Sequence, residues 1–194
     1  VYGLIRDKKE NTFIYYEELI KQLTLIDGDL QNRILISRII DEYSIDVIFH
    51  FAAQVEVGAA RQYPYLTWDT NIRGTYTLME VIRENKKKIK SIIVASSDKA
   101  YGKYPVNLLP YKEDYKLNPE FPYDTSKACA DIIAKSYASK LFKLPILITR
   151  FANIYGPGQL NFTALIPDAI RACLLNKKFL MRSDGKAIRD FVYI

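Results

Sequence analysis

Long apolar runs, cysteine and histidine are all scarce in this chain, and each shortage removes a class of function. No stretch of the 194 residues approaches the roughly 20 consecutive apolar residues that a membrane-spanning helix requires. The first residues also lack the regions of a signal peptide. Two cysteines, Cys129 and Cys173, fall in helical-looking segments without metal-ligand spacing. Neither a disulfide scaffold nor a metal centre is expected, and both read as buried or half-buried thiols in a reducing, cytoplasmic compartment. The single histidine, His50, follows an apolar run and reads as a satisfied core residue. Charge of one sign is not concentrated either. The formal +6 comes from 28 basic residues scattered among 22 acidic ones, and only Lys86–Lys88 forms a run, at a helix end where cations complement the dipole. That scatter argues against nucleic acid as a partner and for a modest attraction to an anionic small molecule. Internal repeats and low-complexity linkers are also missing.

What is present is a core, 49% of the residues being hydrophobic, arranged as apolar runs alternating with helix-period segments. That alternation predicts βαβ units and a parallel sheet, an α/β fold. Strands are expected at Val1–Ile5, Leu23–Ile26, Asp46–Ala52, Lys90–Ser96 and Ile146–Phe151, and helices at about Gln31–Tyr43, Pro64–Asn85 and Tyr123–Phe142. VIFHFA and SIIVAS are apolar at nearly every position, as in a sheet covered on both faces. From Ala152 the texture changes to a loop, ANIYGPGQLNF, then a helix at about Thr163–Asn176. The KKFLM run, the SDGK turn and the closing IRDFVYI suggest a small pairing of strands. The expected division is a nucleotide-binding sheet over 1–154 and the start of a substrate-binding cap over 155–194. Val1 already lies in a strand-like stretch and the chain closes on an apolar one, so both ends read as cut.

The chemistry concentrates at Tyr123 and Lys127, four residues apart on a helical pattern and so on one face. A phenol is a poor base at neutral pH, and a cation beside it favours the phenolate. Four further segments accompany them: GDL at Gly28–Leu30, FHFAAQ at Phe49–Gln54, ASSDKAYG at Ala95–Gly102 and RFANIYGPG at Arg150–Gly158. In a doubly wound sheet, strand ends such as these meet at one crevice. With the five motifs in this order, the chain resembles the extended short-chain dehydrogenase/reductases, the NAD-dependent epimerases and dehydratases of nucleotide sugars. The resemblance covers essentially all of the sequence. It implies a Rossmann-like doubly wound sheet, a nucleotide-sugar substrate, and a homodimer in the full-length protein, formed through the two long helices.

By this resemblance Ser97, Tyr123 and Lys127 match the family's catalytic triad. Tyr123 takes a sugar hydroxyl proton while hydride leaves for nicotinamide, whose positive ring lowers the phenol pKa further. Lys127 holds the phenolate and bonds the nicotinamide ribose, and Ser97 bonds the sugar oxygen. Asp29 and Leu30 match the adenine site, Ala52 and Ala53 pass along the cofactor, and Asn71 lies near its phosphates. Asn153 and Arg189 match positions that bind the diphosphate of the sugar nucleotide. Asp98–Lys99, next to Ser97, is similar to the pair in CDP-glucose 4,6-dehydratases. There Asp98 would protonate the departing C6 hydroxyl and Lys99, its pKa lowered by burial near cations, would take the C5 proton. LNFTALIPDAIRA and RSDGKAIRDFVYI also look like that group.

The implied reaction is C4 oxidation by bound NAD, loss of water across C5 and C6, and hydride return to C6. A 4-epimerase or reductase on the same scaffold, or a non-catalytic nucleotide-binding module, remains open, as does a plain surface turn pair for Asp98–Lys99. The family's glycine-rich fingerprint after the first strand is not in this sequence. VYGLI therefore reads as a second strand, the first strand and glycine-rich loop as missing, and the chain as an internal fragment that binds cofactor poorly alone. At that strand's end, Arg6 would favour NADP and Asp7 NAD, with NAD preferred.

Overall fold

The structure, a computed structural model, describes residues 1–7, 12–85, 89–181, 184–186 and 188–194. The Lys86–Lys88 run and Ser183 of the SDGK turn lie outside the described residues. The chain forms two compact units, Gly28–Phe151 and a second made of Val1–Asp27 with Ala152–Ile194. This division does not follow a single cut in the sequence.

The Gly28–Phe151 unit is built on three parallel strands, β3 (Val47–His50), β4 (Ser91–Ala95) and β5 (Ile146–Thr149), in the order β3-β4-β5. Around them run α2 (Arg33–Glu42), α3 (Val57–Gln62), α4 (Pro64–Trp68), α5 (Gly74–Glu84) and α6 (Pro122–Tyr137). Local chemistry starts these helices where they start. The Asn32 side chain caps α2 by accepting from the Leu35 amide at 3.1 Å. Pro64 and Pro122 occupy first helical turns, where a missing N–H costs nothing. The core gathers on one side of the sheet, with Ile92, Val94, Met79 and Ala134 fully buried. Residues of alternate parity point the other way, and Val47, Phe49 and Leu147 are exposed. Strand parity thus gives these runs, within this chain, a face packed on the helices of the unit and a face carrying Val47, Phe49 and Leu147.

The helix expected over Pro64–Asn85 is interrupted. A π-helical turn, Asp69–Arg73, joins α4 to α5 and carries Asn71 near its middle. Beyond β4, Ser97 caps a 3-10 turn, Asp98–Tyr101, and the chain reverses at Gly102 with φ +72°. A Cβ at Gly102 would lie 1.8 Å from the Asn118 carbonyl oxygen, so only glycine fits.

The other unit holds a parallel pair, β1 (Tyr2–Ile5) with β2 (Thr24–Asp27), a short α1 (Phe13–Tyr16), and α7 (Leu165–Leu174). The closing segment pairs otherwise than expected. KKFLM forms no strand, and β7 (Phe191–Tyr193) instead runs parallel to β6 (Asn153–Tyr155), where Tyr155 packs on Phe191 and Tyr193. An apolar groove of about 520 Å³ lies here, lined among others by Tyr155, Phe162, Ile170 and Leu174. None of the expected site residues lines it. Cys173 is exposed because α7 turns Pro167 and Ala172 inward, which corrects its expected burial. No helix among the described residues is long and apolar enough to cross a membrane.

Candidate active site

The C-terminal ends of β3, β4 and β5 and the first turns of α6 hold the groups expected to do chemistry. Ser97 is buried; its hydroxyl accepts from the Lys99 amide at 3.2 Å and donates to Asp98 Oδ1 at 3.1 Å. Lys99 Nζ donates to Asp98 Oδ2 at 2.9 Å. Ser97, Asp98 and Lys99 therefore form one hydrogen-bonded cluster on the 3-10 turn. The partner of Lys99 is thus the carboxylate beside it.

Tyr123 and Lys127 occupy adjacent turns of α6, which packs against the Asp98–Tyr101 turn. The phenol does not behave as expected. Burial pushes its pKa above the ordinary value, a hydrogen bond with Ser97 opposes this, and Asp98 and Asp124 add to the rise. Lys127 contributes no counter-charge to it here: its Nζ donates to the Ala95 carbonyl at 2.8 Å, at the end of β4. Burial lowers the Lys127 pKa to about 8. The ammonium is thus the group tuned toward neutrality, and the phenol the group held protonated.

Asn71 is fully engaged by the protein. Its Oδ1 accepts from the Gln54 amide at 2.7 Å, and its Nδ2 donates to the Gln54 carbonyl at 3.0 Å and to Ser126 Oγ at 2.8 Å. Both of its amide hydrogens are spent within the protein. It ties the loop after β3 to α6, and Ser126 passes the link to the Tyr123 carbonyl at 2.7 Å. His50 is the core residue expected, bonded to Thr75 at 2.9 Å. The Thr75 hydroxyl itself donates to the Asn71 carbonyl at 2.6 Å.

Ala52 and Ala53 lie in the loop leaving β3, exposed and half-buried respectively. Asp29 forms a local turn, accepting from the Gln31 amide at 2.8 Å, and Leu30 packs closely against Gly74. In the other unit, Arg6 and Asp7 pair with each other at 3.3 Å, both largely exposed. Asn153 opens the β6–β7 pair, and Arg189 lies two residues before β7. Asn153 donates its side-chain amide to the Asp190 carbonyl at 2.9 Å, and Arg189 is exposed.

Several groups at this site escaped the sequence reading. Asp124 follows Tyr123, and burial raises its pKa against the pull of Lys99. Ser96 Oγ and Gln54 Oε1 are buried without a hydrogen-bond partner, at the ends of neighbouring strands. Half-buried Arg150 and buried Asp131 form an ion pair. Asp131 stands four residues beyond Lys127, so the spacing that joined Tyr123 to Lys127 reaches it when carried one turn further. No cluster able to hold a metal ion occurs among the described residues.

Comparison with known proteins agrees with this layout. The model of the NAD dependent epimerase/dehydratase family matches residues 1–194. A dTDP-D-glucose 4,6-dehydratase of Dictyostelium discoideum is 35% identical over 176 residues, which cover 86% of this chain and 40% of that protein. The dTDP-glucose 4,6-dehydratase of Bacillus anthracis, solved in complex with NAD, superposes with a TM-score of 0.84 at 29% identity, covering 99% of this chain and 58% of that one. The UDP-glucuronic acid 4-epimerase of Bacillus cereus, solved with UDP-glucuronic acid and NAD, gives 0.83 at 26%, covering 100% and 60%. The chain thus spans about half the length of these relatives, and it belongs to the NAD dependent epimerase/dehydratase family.

Proposed function

We propose that the protein carrying this chain is an NAD-dependent sugar-nucleotide 4,6-dehydratase, a lyase. The observation that carries the reading is the Lys99 Nζ–Asp98 Oδ2 hydrogen bond at 2.9 Å, on the turn that Ser97 caps. Removal of water across C5 and C6 needs a base for the C5 proton and an acid for the departing hydroxyl. As an ammonium and a carboxylate the pair is neither. Transfer of one proton along that bond makes it both, an amine and a carboxylic acid, and excluding water from the site favours the neutral form. Lys99 then takes the C5 proton, Asp98 gives its own to the C6 hydroxyl, and water leaves with charge and mass balanced.

The residues present fit a nicotinamide cofactor. Ser96 Oγ and Gln54 Oε1 are buried polar atoms that a polar ligand at the strand ends would satisfy. Lys127 would hold the nicotinamide ribose, with Ala52 and Ala53 alongside the cofactor and Asp29 and Leu30 at its adenine. NAD, when bound, supplies the hydride acceptor that returns hydride to C6, and a positive ring beside the phenol. Tyr123 takes the C4 hydroxyl proton, Ser97 orients that oxygen, and Lys127 compensates the phenolate on leaving the Ala95 carbonyl. Asn153 and Arg189 are proposed for the diphosphate. Exposed Tyr65, Leu66, Tyr76 and Ile132 on α4, α5 and α6 are the proposed surface for a homodimer.

The resemblance of Asp98–Lys99 to the pair of the CDP-glucose dehydratases makes CDP-glucose the first nucleotide sugar to test, although this pair acts on the sugar and not on the base. A 4-epimerase is the second reading, favoured by the fold shared with the B. cereus enzyme. Incubating the protein with CDP-glucose, dTDP-glucose, GDP-mannose and UDP-sugars plus NAD, with products followed by mass, separates them. Loss of water without net reduction of NAD is the expected result and names the nucleotide. Unchanged mass with inverted C4 overturns the dehydratase reading.

A further inference from the structure

Arg150 sits immediately after β5, and its guanidinium gathers four attachments from three other segments. Nε and Nη2 donate to the two Asp131 oxygens at 2.8 and 3.1 Å, and Nη1 donates to Tyr101 Oη and to the Glu113 carbonyl, both at 2.9 Å. Four of its five N–H groups are thereby used. Asp131 is 1% exposed and lies on the α6 face that carries Tyr123 and Lys127. Tyr101 is the last residue of the turn that carries Asp98 and Lys99. The same guanidinium lies over the Tyr101 ring, and that ring stacks on Tyr111 at 4.8 Å. One planar group therefore bridges α6 and the end of the Asp98–Tyr101 turn.

We infer that Arg150, with Asp131 and Tyr101, is a positioning element that holds the elimination pair in register with the oxidation pair. This rests on the dehydratase reading. Oxidation at C4 depends on α6 and Ser97, whereas elimination at C5 and C6 depends also on where the Asp98–Tyr101 turn stands. Loosening the clamp should therefore slow water loss more than oxidation. A lysine cannot replace the arginine, because a point ammonium has neither the fork nor the reach for four acceptors.

The test uses the protein that carries this chain. Tyr101→Phe is the gentle variant, since it keeps the ring stack and the Arg150–Asp131 fork and deletes one acceptor. Arg150→Lys is the severe one. Water loss is followed by product mass, and C4 oxidation by reduced nicotinamide in a single turnover. The expected slowing of water loss is about 10-fold for Tyr101→Phe and about 100-fold for Arg150→Lys, the scale of an ångström misplacement. C4 oxidation and KM should stay within about 3-fold, and adding Asp131→Asn to Arg150→Lys should cost little more, as for residues acting as one unit. Parallel loss of both steps, a change in KM alone, or unchanged water loss in both variants overturns the inference and leaves the dehydratase reading standing. Wild-type protein that oxidises C4 but returns a product of unchanged mass overturns both.

Discussion

Lys99 and His50 show how a side chain's partner, rather than its type, decides what it can do. Lys99 is held by Asp98 at 2.9 Å, and its proposed role is the base of the elimination step. Lys99→Met keeps the stem and deletes the amine, so C4 oxidation should persist while formation of the 4-keto-6-deoxy sugar drops by about 100-fold or more, as expected for loss of a general base. Unchanged formation of that product by the variant would remove Lys99 from the mechanism. His50 is buried beside Thr75, and its pKa is lowered to about 4, by burial first and by the Lys127 charge second. As pH falls from about 6.5 toward 4, the unfolded chain binds a proton that the folded chain refuses, so stability is lost across that window. Between pH 7.5 and pH 5 this one group should cost about 2 kcal/mol. Urea denaturation at the two pH values measures the change, and His50→Gln, which cannot titrate, should remove most of it. An equal loss in the variant would assign the acid sensitivity to carboxylates instead.

Among the elements, those dictated by local pattern were legible and those dictated by tertiary contact were not. Hydrophobic runs placed all five strands from β1 to β5 within two residues or so, because buried parallel strands are written as apolar runs. The motifs at their ends also singled out Ser97, Tyr123 and Lys127, and the fold bonds Tyr123 to Ser97 and Lys127 to Ala95, two residues before Ser97. The π turn at Asp69–Arg73 left no trace in the sequence, since one extra residue in a helical turn leaves helix-like periodicity on both sides. What holds it is the bonding of Asn71 to Gln54 and Ser126, and such contacts join residues 17 and 55 positions apart. The same distance in sequence hid the Arg150 clamp. The β6–β7 pair was missed for another reason: KKFLM and IRDFVYI are adjacent apolar runs around a turn, which is how a hairpin is spelled, whereas β7 pairs with a strand nearly 40 residues upstream. The phenol pKa was misjudged because spacing on a helix says where Lys127 projects, and not that the Ala95 carbonyl claims its Nζ.

At the scale of the whole chain, the composition that fills the core also leaves apolar surface open. In the Gly28–Phe151 unit β3 is an edge strand, and Val47, Phe49 and Phe51, at 40%, 61% and 58% exposure, point away from the buried side or out of the loop that follows. A parallel edge strand with exposed aromatic residues offers both unpaired backbone groups and a sticky face, the combination that promotes association between copies. The 194-residue chain on its own should therefore bind a hydrophobic dye strongly and show a sedimentation coefficient that rises with concentration. Phe49→Lys places a charge at the edge, where lysine is the common natural safeguard, and should suppress that rise. Its cost in folding stability should be below about 1 kcal/mol, since the side chain is already mostly in water. Sedimentation velocity over a concentration series, with urea denaturation of the same two proteins, measures both effects. Self-association that persists undiminished in Phe49→Lys, at unchanged stability, would place the sticky surface elsewhere, with exposed Tyr65 and Leu66 of α4 the next positions to charge.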